Sequence, residues 1–238
     1  MNELSVGTST MPMFLVMLFC VGLIIGSFLN VVIFRLPNQL YARWRTEAKT
    51  VLGVKTSTDS EYTDTLVWPN SKCRDCGHPI KLRHNIPVVS YLLLGGNCRY
   101  CSSKISPQYP IIEVLTGIIF TLTIIQFGFS VGGLLAIIFS TGLIALAGID
   151  FRERLLPDQI TLPLMWIGLL ANTQDMFVPL IESVMGASAG YLILWAIFWI
   201  FKLITGKDGM GYGDFKFISA LGAWLGWKML PLILLLSS

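Results

Sequence analysis

The sequence predicts an all-α, polytopic membrane helix bundle of about six spans, with a soluble, zinc-binding insertion after the first span. Three observations carry that expectation. Hydrophobic residues make up 54% of the 238-residue chain and charged residues only 13%, with a mean hydropathy of +0.68. A water-soluble domain carries about twice that charge fraction, so lipid is the expected solvent. The apolar residues gather into stretches near the roughly 20 residues that cross a bilayer. The cations fall almost wholly in alternate loops, as cytoplasmic loops require.

The first stretch, 12–33, follows ten residues that contain Glu3 and no Lys or Arg. A cleaved signal opens with positive charge, and this run is long enough to span, so it reads as a retained helix. Residues 34–109 form the sizeable soluble piece, with a polar, flexible-looking part at 45–66. Five further apolar stretches lie near 110–127, 130–149, 161–175, 178–203 and 215–236, with 161–175 short. Gly128 and Ser130 mark one tight turn, Asn172 and Asp175 another. The expected organisation is a first helix (1–33), a cytoplasmic loop (34–109) and a membrane core (110–238).

Eleven of the 17 Lys and Arg lie between Arg35 and Lys104. Arg152, Arg154, Lys202, Lys207 and Lys216 fall in or beside loops of the same parity. The opposite loops hold none, and Lys228, inside the last stretch, breaks the pattern. An outside N-terminus follows, with the 34–109 segment in the cytoplasm. Asp150 then ends the third span and Asp214 begins the sixth, both at the cytoplasmic rim.

The loop carries Cys73-Arg-Asp-Cys76 and Cys98-Arg-Tyr-Cys101. Each pair puts two thiolates on one tight knuckle, and two knuckles make a tetrahedral S4 site that suits structural zinc. Metal binding would fold a segment too small for its own core. Two disulfides or four idle thiols are the alternatives; in the cytoplasm disulfides are rare. Four ligands leave no open position, so no metal catalysis is expected. His78 and His84 read as surface or structural residues, and Cys20 as packing.

Ionisable groups at membrane depth are costly and mark function. Asp150 closes Ala147-Gly-Ile-Asp150, and Asp214 sits in Gly209-Met-Gly-Tyr-Gly-Asp214-Phe-Lys216. Alternating glycines permit unusual backbone and close approach of an extended peptide. Two nearby carboxylates cannot both ionise, so they share a proton. One takes a proton from water while the other donates to a scissile carbonyl. The bland readings make Asp150 a helix-end group paired with Arg152 or Arg154, and Asp214 an N-cap paired with Lys216. Asp158 reads as a cap at the fourth span; Glu113, just inside the second, reads as a residue serving a site or, more plainly, as a salt-bridge partner of the basic loop.

Gly186-Ala-Ser188-Ala-Gly190 matches a serine-hydrolase pattern, but that motif needs a strand-to-helix elbow and a distant His. Within a long apolar helix, small residues at this spacing serve close packing. A net charge of +3 with no basic, aromatic-laced stripe argues against nucleic-acid binding.

The chain resembles the type IV prepilin peptidases. Gly26-Ser-Phe-Leu-Asn-Val-Val-Ile-Phe-Arg-Leu-Pro37 is similar to their opening signature. The two CxxC pairs, Asn85-Ile-Pro87, Tyr109-Pro110, Glu113, Gly148-Ile-Asp150, Leu156-Pro-Asp158 and Gly211-Tyr-Gly-Asp214-Phe-Lys216 also match. The resemblance runs from about Gly22 to the C-terminus. It implies Asp150 and Asp214 as the catalytic pair and Cys73, Cys76, Cys98 and Cys101 as the zinc ligands. It also implies a bacterial inner-membrane enzyme that removes the basic leader from prepilins or pseudopilins, then methylates the new N-terminus with S-adenosylmethionine. Further membrane helices would be expected after the sixth stretch. A non-catalytic assembly factor and a small proton- or cation-coupled transporter are the rival functions.

Overall fold

The computed structural model describes residues 11–53, 65–66, 71–80, 85–207 and 209–237. Among them the fold is helical, with two isolated β-bridges and no strand. The helices are α1 (Met11–Val51), α2 (Val89–Leu93), α3 (Gln108–Phe127), α4 (Val131–Glu153), α5 (Asp158–Ala171), α6 (Leu180–Thr205), α7 (Tyr212–Leu225) and α8 (Leu230–Ser237). Single 3-10 turns at Asn172–Gln174 and Trp227–Met229 follow α5 and α7. The chain divides into two compact units, Met1–Phe129 and Ser130–Ser238.

Four helices are long and apolar enough to cross a membrane: Pro12–Val51, Gln108–Phe127, Val131–Glu153 and Leu180–Thr205. Ile24, Leu122, Leu134 and Ile200 point outward from them. Such apolar surface is stable only against lipid or another protein. The other two apolar stretches are broken into shorter pieces, α5 with the 3-10 turn that follows it, and α7 with a 3-10 turn and α8. α5 and α7 have 14 residues each, about 21 Å of helix, against a hydrocarbon core of roughly 30 Å. α7 stops at Gly226, whose φ of 76° leaves the helical region.

In the first unit α1 and α3 pack along a seam of small residues. A Cβ on Gly22 would lie 2.6 Å from Gly117 Cα, and one on Gly26 would lie 2.7 Å from Glu113 Cα. The missing side chains let the two backbones touch, the packing favoured where hydrophobic drive between helices is weak. α1 does not end at 33 but runs on to Val51 with Pro37 inside it. The first seven residues of the stretch expected to be flexible, 45–66, are therefore helical; residues 54–64 lie outside the described residues.

The second unit is built around α7. Phe215, Ala220, Ala223 and Trp224 are almost wholly buried. Trp224 donates its indole N–H to Leu164 O at 2.7 Å and stacks on Phe139 of α4. Asn172 donates to Ala223 O, and its own side-chain oxygen takes the Phe177 and Val178 N–H groups. Ser219 donates to Ala187 O at 2.8 Å. The Asn172 bonds satisfy backbone groups in the last turn of α7 and in the segment before α6, as a fold in lipid must. The Gly186–Gly190 motif serves packing: a Cβ on Gly186 would lie 2.3 Å from Gly222 O, and one on Gly190 would lie 2.9 Å from Ile218 O.

Candidate active site and metal centre

The acids of interest lie at helix ends within the second unit. Asp150 stands in the last turn of α4, exposed, beside the fully buried Ile149. Arg154 caps that helix in the left-handed region and returns its N–H to Asp150 O at 2.8 Å. The turn that follows leans on the glycine-rich approach to α7, where a Cβ on Gly213 would lie 3.0 Å from Leu156 Cβ. Asp214 is the third residue of α7, and its Oδ2 accepts the Gly211 N–H at 3.1 Å. It precedes the apolar stretch and lies outside the four spans. Burial lifts its carboxyl above the usual aspartate range; the Gly211 N–H opposes that, and the charge of Asp150 adds to the rise.

The expected pairings of these acids change. Lys216 does not pair with Asp214; its ammonium meets Asp158 Oδ2 at 2.6 Å, tying the first turn of α7 to that of α5. Asp158 follows the N-cap Pro157 and makes no capping hydrogen bond. Its charge at a helix start is favourable to the dipole. Arg152 reaches Glu153 at 3.7 Å. Because Asp158 and Lys216 are distant in sequence, no local spacing signals their pairing.

In the first unit the two knuckles repeat one hydrogen-bond plan. Cys73 N–H donates to His78 O and Gly77 N–H to Cys73 O; Cys98 N–H donates to Ser103 O and Ser102 N–H to Cys98 O. The closing residue has positive φ in both, 70° at Gly77 and 58° at Ser102. The four sulfurs lie within 4.8 Å of one another, and Cys73 Sγ is 3.8 Å from Cys101 Sγ. A tetrahedral thiolate centre with bonds of about 2.3 Å has sulfur–sulfur edges of about 3.8 Å, so the donor set fits a metal ion.

The N–H groups of Cys76 and Asp75 pull the Cys73 thiol down to about 6. The Ser103 hydroxyl and N–H lower Cys101. The His78 N–H pulls Cys76 down, but desolvation and the neighbouring Cys73 and Cys101 sulfurs outweigh it and push that thiol up to about 11. Four thiolates this close need a cation to ionise together. His78 is not a fifth donor in this cluster; its ring lies against Tyr100, tilted by 32° with centroids 3.9 Å apart. His84 lies outside the described residues.

Glu113 holds no ion pair among the described residues. Its Oε2 instead accepts the Val88 N–H at 2.7 Å, joining α3 to the segment before α2. Arg74, between the first two cysteines, lies 3.7 Å over the Phe34 ring of α1, and Phe34 stacks on Tyr109.

Residues 20–127 match the bacterial peptidase A24 N-terminal domain, and residues 137–238 match the type IV leader peptidase family. A prepilin leader peptidase/N-methyltransferase of Pseudomonas aeruginosa is 48% identical over 217 residues, 91% of this chain and 74% of that relative. One from Neisseria gonorrhoeae is 49% identical over 217 residues, 91% of this chain and 76% of the relative. One from Aeromonas hydrophila is 48% identical over 236 residues, 99% of this chain and 81% of the relative. No solved structure matches the chain at a significant level.

Proposed function

The chain belongs to the type IV leader peptidase family, and we propose that it cuts the basic leader from prepilins or pseudopilins and methylates the new N-terminus. Asp150 and Asp214 are the catalytic carboxylates of this reading. The observation that carries it is the action of the Asp150 charge on the Asp214 carboxyl, between residues that close α4 and open α7. In this reading the two carboxyls share one proton, because close like charges do not both ionise. The ionised partner takes a proton from a bound water as that water attacks the scissile carbonyl. The neutral partner gives its proton to the carbonyl oxygen, and no covalent intermediate forms. Of the glycines before Asp214, Gly211 has nothing nearer the position of a Cβ than the Asp214 carboxylate, at 3.6 Å, which leaves an extended peptide room beside that acid.

Cys73, Cys76, Cys98 and Cys101 would hold zinc, which when bound fixes the two knuckles against each other. The methyl donor would be S-adenosylmethionine. The site lies at the cytoplasmic face of a bacterial inner membrane, with the N-terminus periplasmic. A substrate with a basic leader and an apolar helix presents its cleavage point at that boundary.

Asp150→Asn and Asp214→Asn each test the peptidase reading. Each lowers leader removal from a co-expressed prepilin by at least about 100-fold, the scale of one acid–base group, as read from the size of the product. Unchanged processing would return the chain to the assembly-factor or transporter reading. The mass of the mature N-terminus reports the methyl group.

A further inference from the structure

Glu113 is 7% exposed and Asn30 is 2% exposed, and the two stand on facing helices of the first unit. Gly26 lets α1 approach until a Cβ there would touch Glu113 Cα. Asn30, one turn along from Gly26, therefore borders the same seam. The Asn30 amide is fully spent as a donor, to Gly26 O and to Tyr109 O, which fixes its orientation. Its Oδ1 is buried and accepts no hydrogen bond from the described residues. The Glu113 carboxylate takes the Val88 N–H, with the Ser27 hydroxyl also in reach, and retains lone pairs. No lysine, arginine or histidine among the described residues pairs with it. The nearby Arg74 is engaged on the Phe34 ring.

Among the described residues the buried Glu113 carboxyl has no countercharge, and the Asn30 carbonyl oxygen on the facing helix has no donor; each is costly to bury. The cost falls when a cation with N–H groups, or a sulfonium, enters. A second observation marks the same spot. Val88, whose N–H Glu113 holds, is a β-branched residue at φ 59°, a conformation that persists only where its surroundings enforce it and that gathers at ligand sites.

We propose that Glu113 and Asn30 bind the organic cation of the methyl-transfer reaction. The inference rests on the methyltransferase part of the function proposed above. The shared chemistry is an onium group: the sulfonium and α-ammonium of S-adenosylmethionine, or the α-ammonium of the freshly cut substrate. The acceptor ammonium first releases a proton to water; its nitrogen lone pair then forms the N–CH3 bond as the C–S electron pair stays on sulfur, which becomes a neutral thioether, and the methylated amine becomes the cation. One fixed carboxylate therefore faces positive charge before and after the step.

Glu113→Gln separates this role from a structural one, because the amide oxygen still accepts the Val88 N–H while the charge is lost. The full-length, zinc-loaded enzyme in detergent is assayed on one prepilin for both leader removal and methylation. The variant is expected to cut at the wild-type rate and to methylate at a rate reduced on the order of tenfold or more. Glu113→Asp, which keeps the charge, restores part of that loss. Calorimetry tells the two sources apart. Weaker binding of S-adenosylmethionine places the donor against Glu113. Unchanged donor affinity with a raised KM for a peptide bearing the mature N-terminus places the acceptor there. Wild-type methylation by the Gln variant overturns the proposal and leaves Glu113 as the anchor of Val88. A wild-type enzyme that cuts without methylating overturns both this inference and the reading it rests on.

Discussion

Asp214 carries opposed demands that a pH series can separate. Burial raises its carboxyl and the Gly211 N–H resists the rise. The folded chain therefore keeps a proton on Asp214 at pH values where the unfolded chain has released it. Folding takes up that proton, so stability falls as pH climbs from the ordinary aspartate range through the raised value. Asp214→Asn removes this loss and still offers an amide oxygen to Gly211. The variant should melt with the wild type at acid pH and above it at neutral pH, in thermal scans in detergent. Equal melting across the range would show a carboxyl that water still reaches. At the first knuckle, Gly77 has φ 70° and open space around the position of a Cβ. Gly77→Ala therefore tests backbone conformation alone, at a cost of roughly 1 kcal/mol. Metal should pass to a competing chelator at about a fivefold weaker apparent affinity. Retention at wild-type affinity would mean that the closing turn does not set the geometry of the sulfurs. Ser102, which adopts the same conformation in the second knuckle, indicates that the cost is tolerable.

Among the elements, α7 depends most on its neighbours. It is too short to cross a bilayer alone, and contact with α5 and α6 replaces the lipid that a longer helix would meet. The closest approach is Gly222 against Gly186, where an added Cβ would lie 2.2 Å from Gly186 O. Gly222→Ala should cost roughly 1–3 kcal/mol by overpacking, and Gly222→Leu should separate α6 from α7. The reading is the yield of folded protein in detergent; a Leu variant as stable as wild type would refute the packing. The α6 side of this contact was legible in the sequence, because small residues four apart in an apolar run serve helix packing. The extent of the helices was legible only in part. Apolar length reports how much chain suits lipid, and α1 carries on through Arg35, Pro37 and Trp44 because a helix need not stop at the membrane surface. The 215–236 stretch has the composition of a span, yet much of α7 faces protein, and a core-facing apolar residue looks like a lipid-facing one. The Cys cluster was legible because each knuckle is local. The Asp158–Lys216 pair and the Glu113–Val88 bond were not, since each joins distant parts of the chain.

For the molecule as a whole, the distribution of charge predicts an orientation that can be tested. Cytoplasmic loops retain Lys and Arg because moving them across a bilayer is unfavourable. The exception, Lys228, is resolved by its partner: its ammonium meets Glu182 Oε1 at 2.6 Å. A paired cation at that end weakens the orienting signal far less than a free one. The loop at 34–109 should therefore lie inside and the turn at Asn172–Asp175 outside. A protease site inserted after Asp175 should be cut in intact spheroplasts, and one inserted within 54–64 should be cut only after lysis. Glu182→Gln leaves Lys228 without its carboxylate at the outer end, and a small fraction of chains should then show the reverse pattern. Cleavage of the 54–64 insertion in intact spheroplasts of the parent chain would invert the topology and put Asp150 and Asp214 on the face opposite to a cytoplasmic leader.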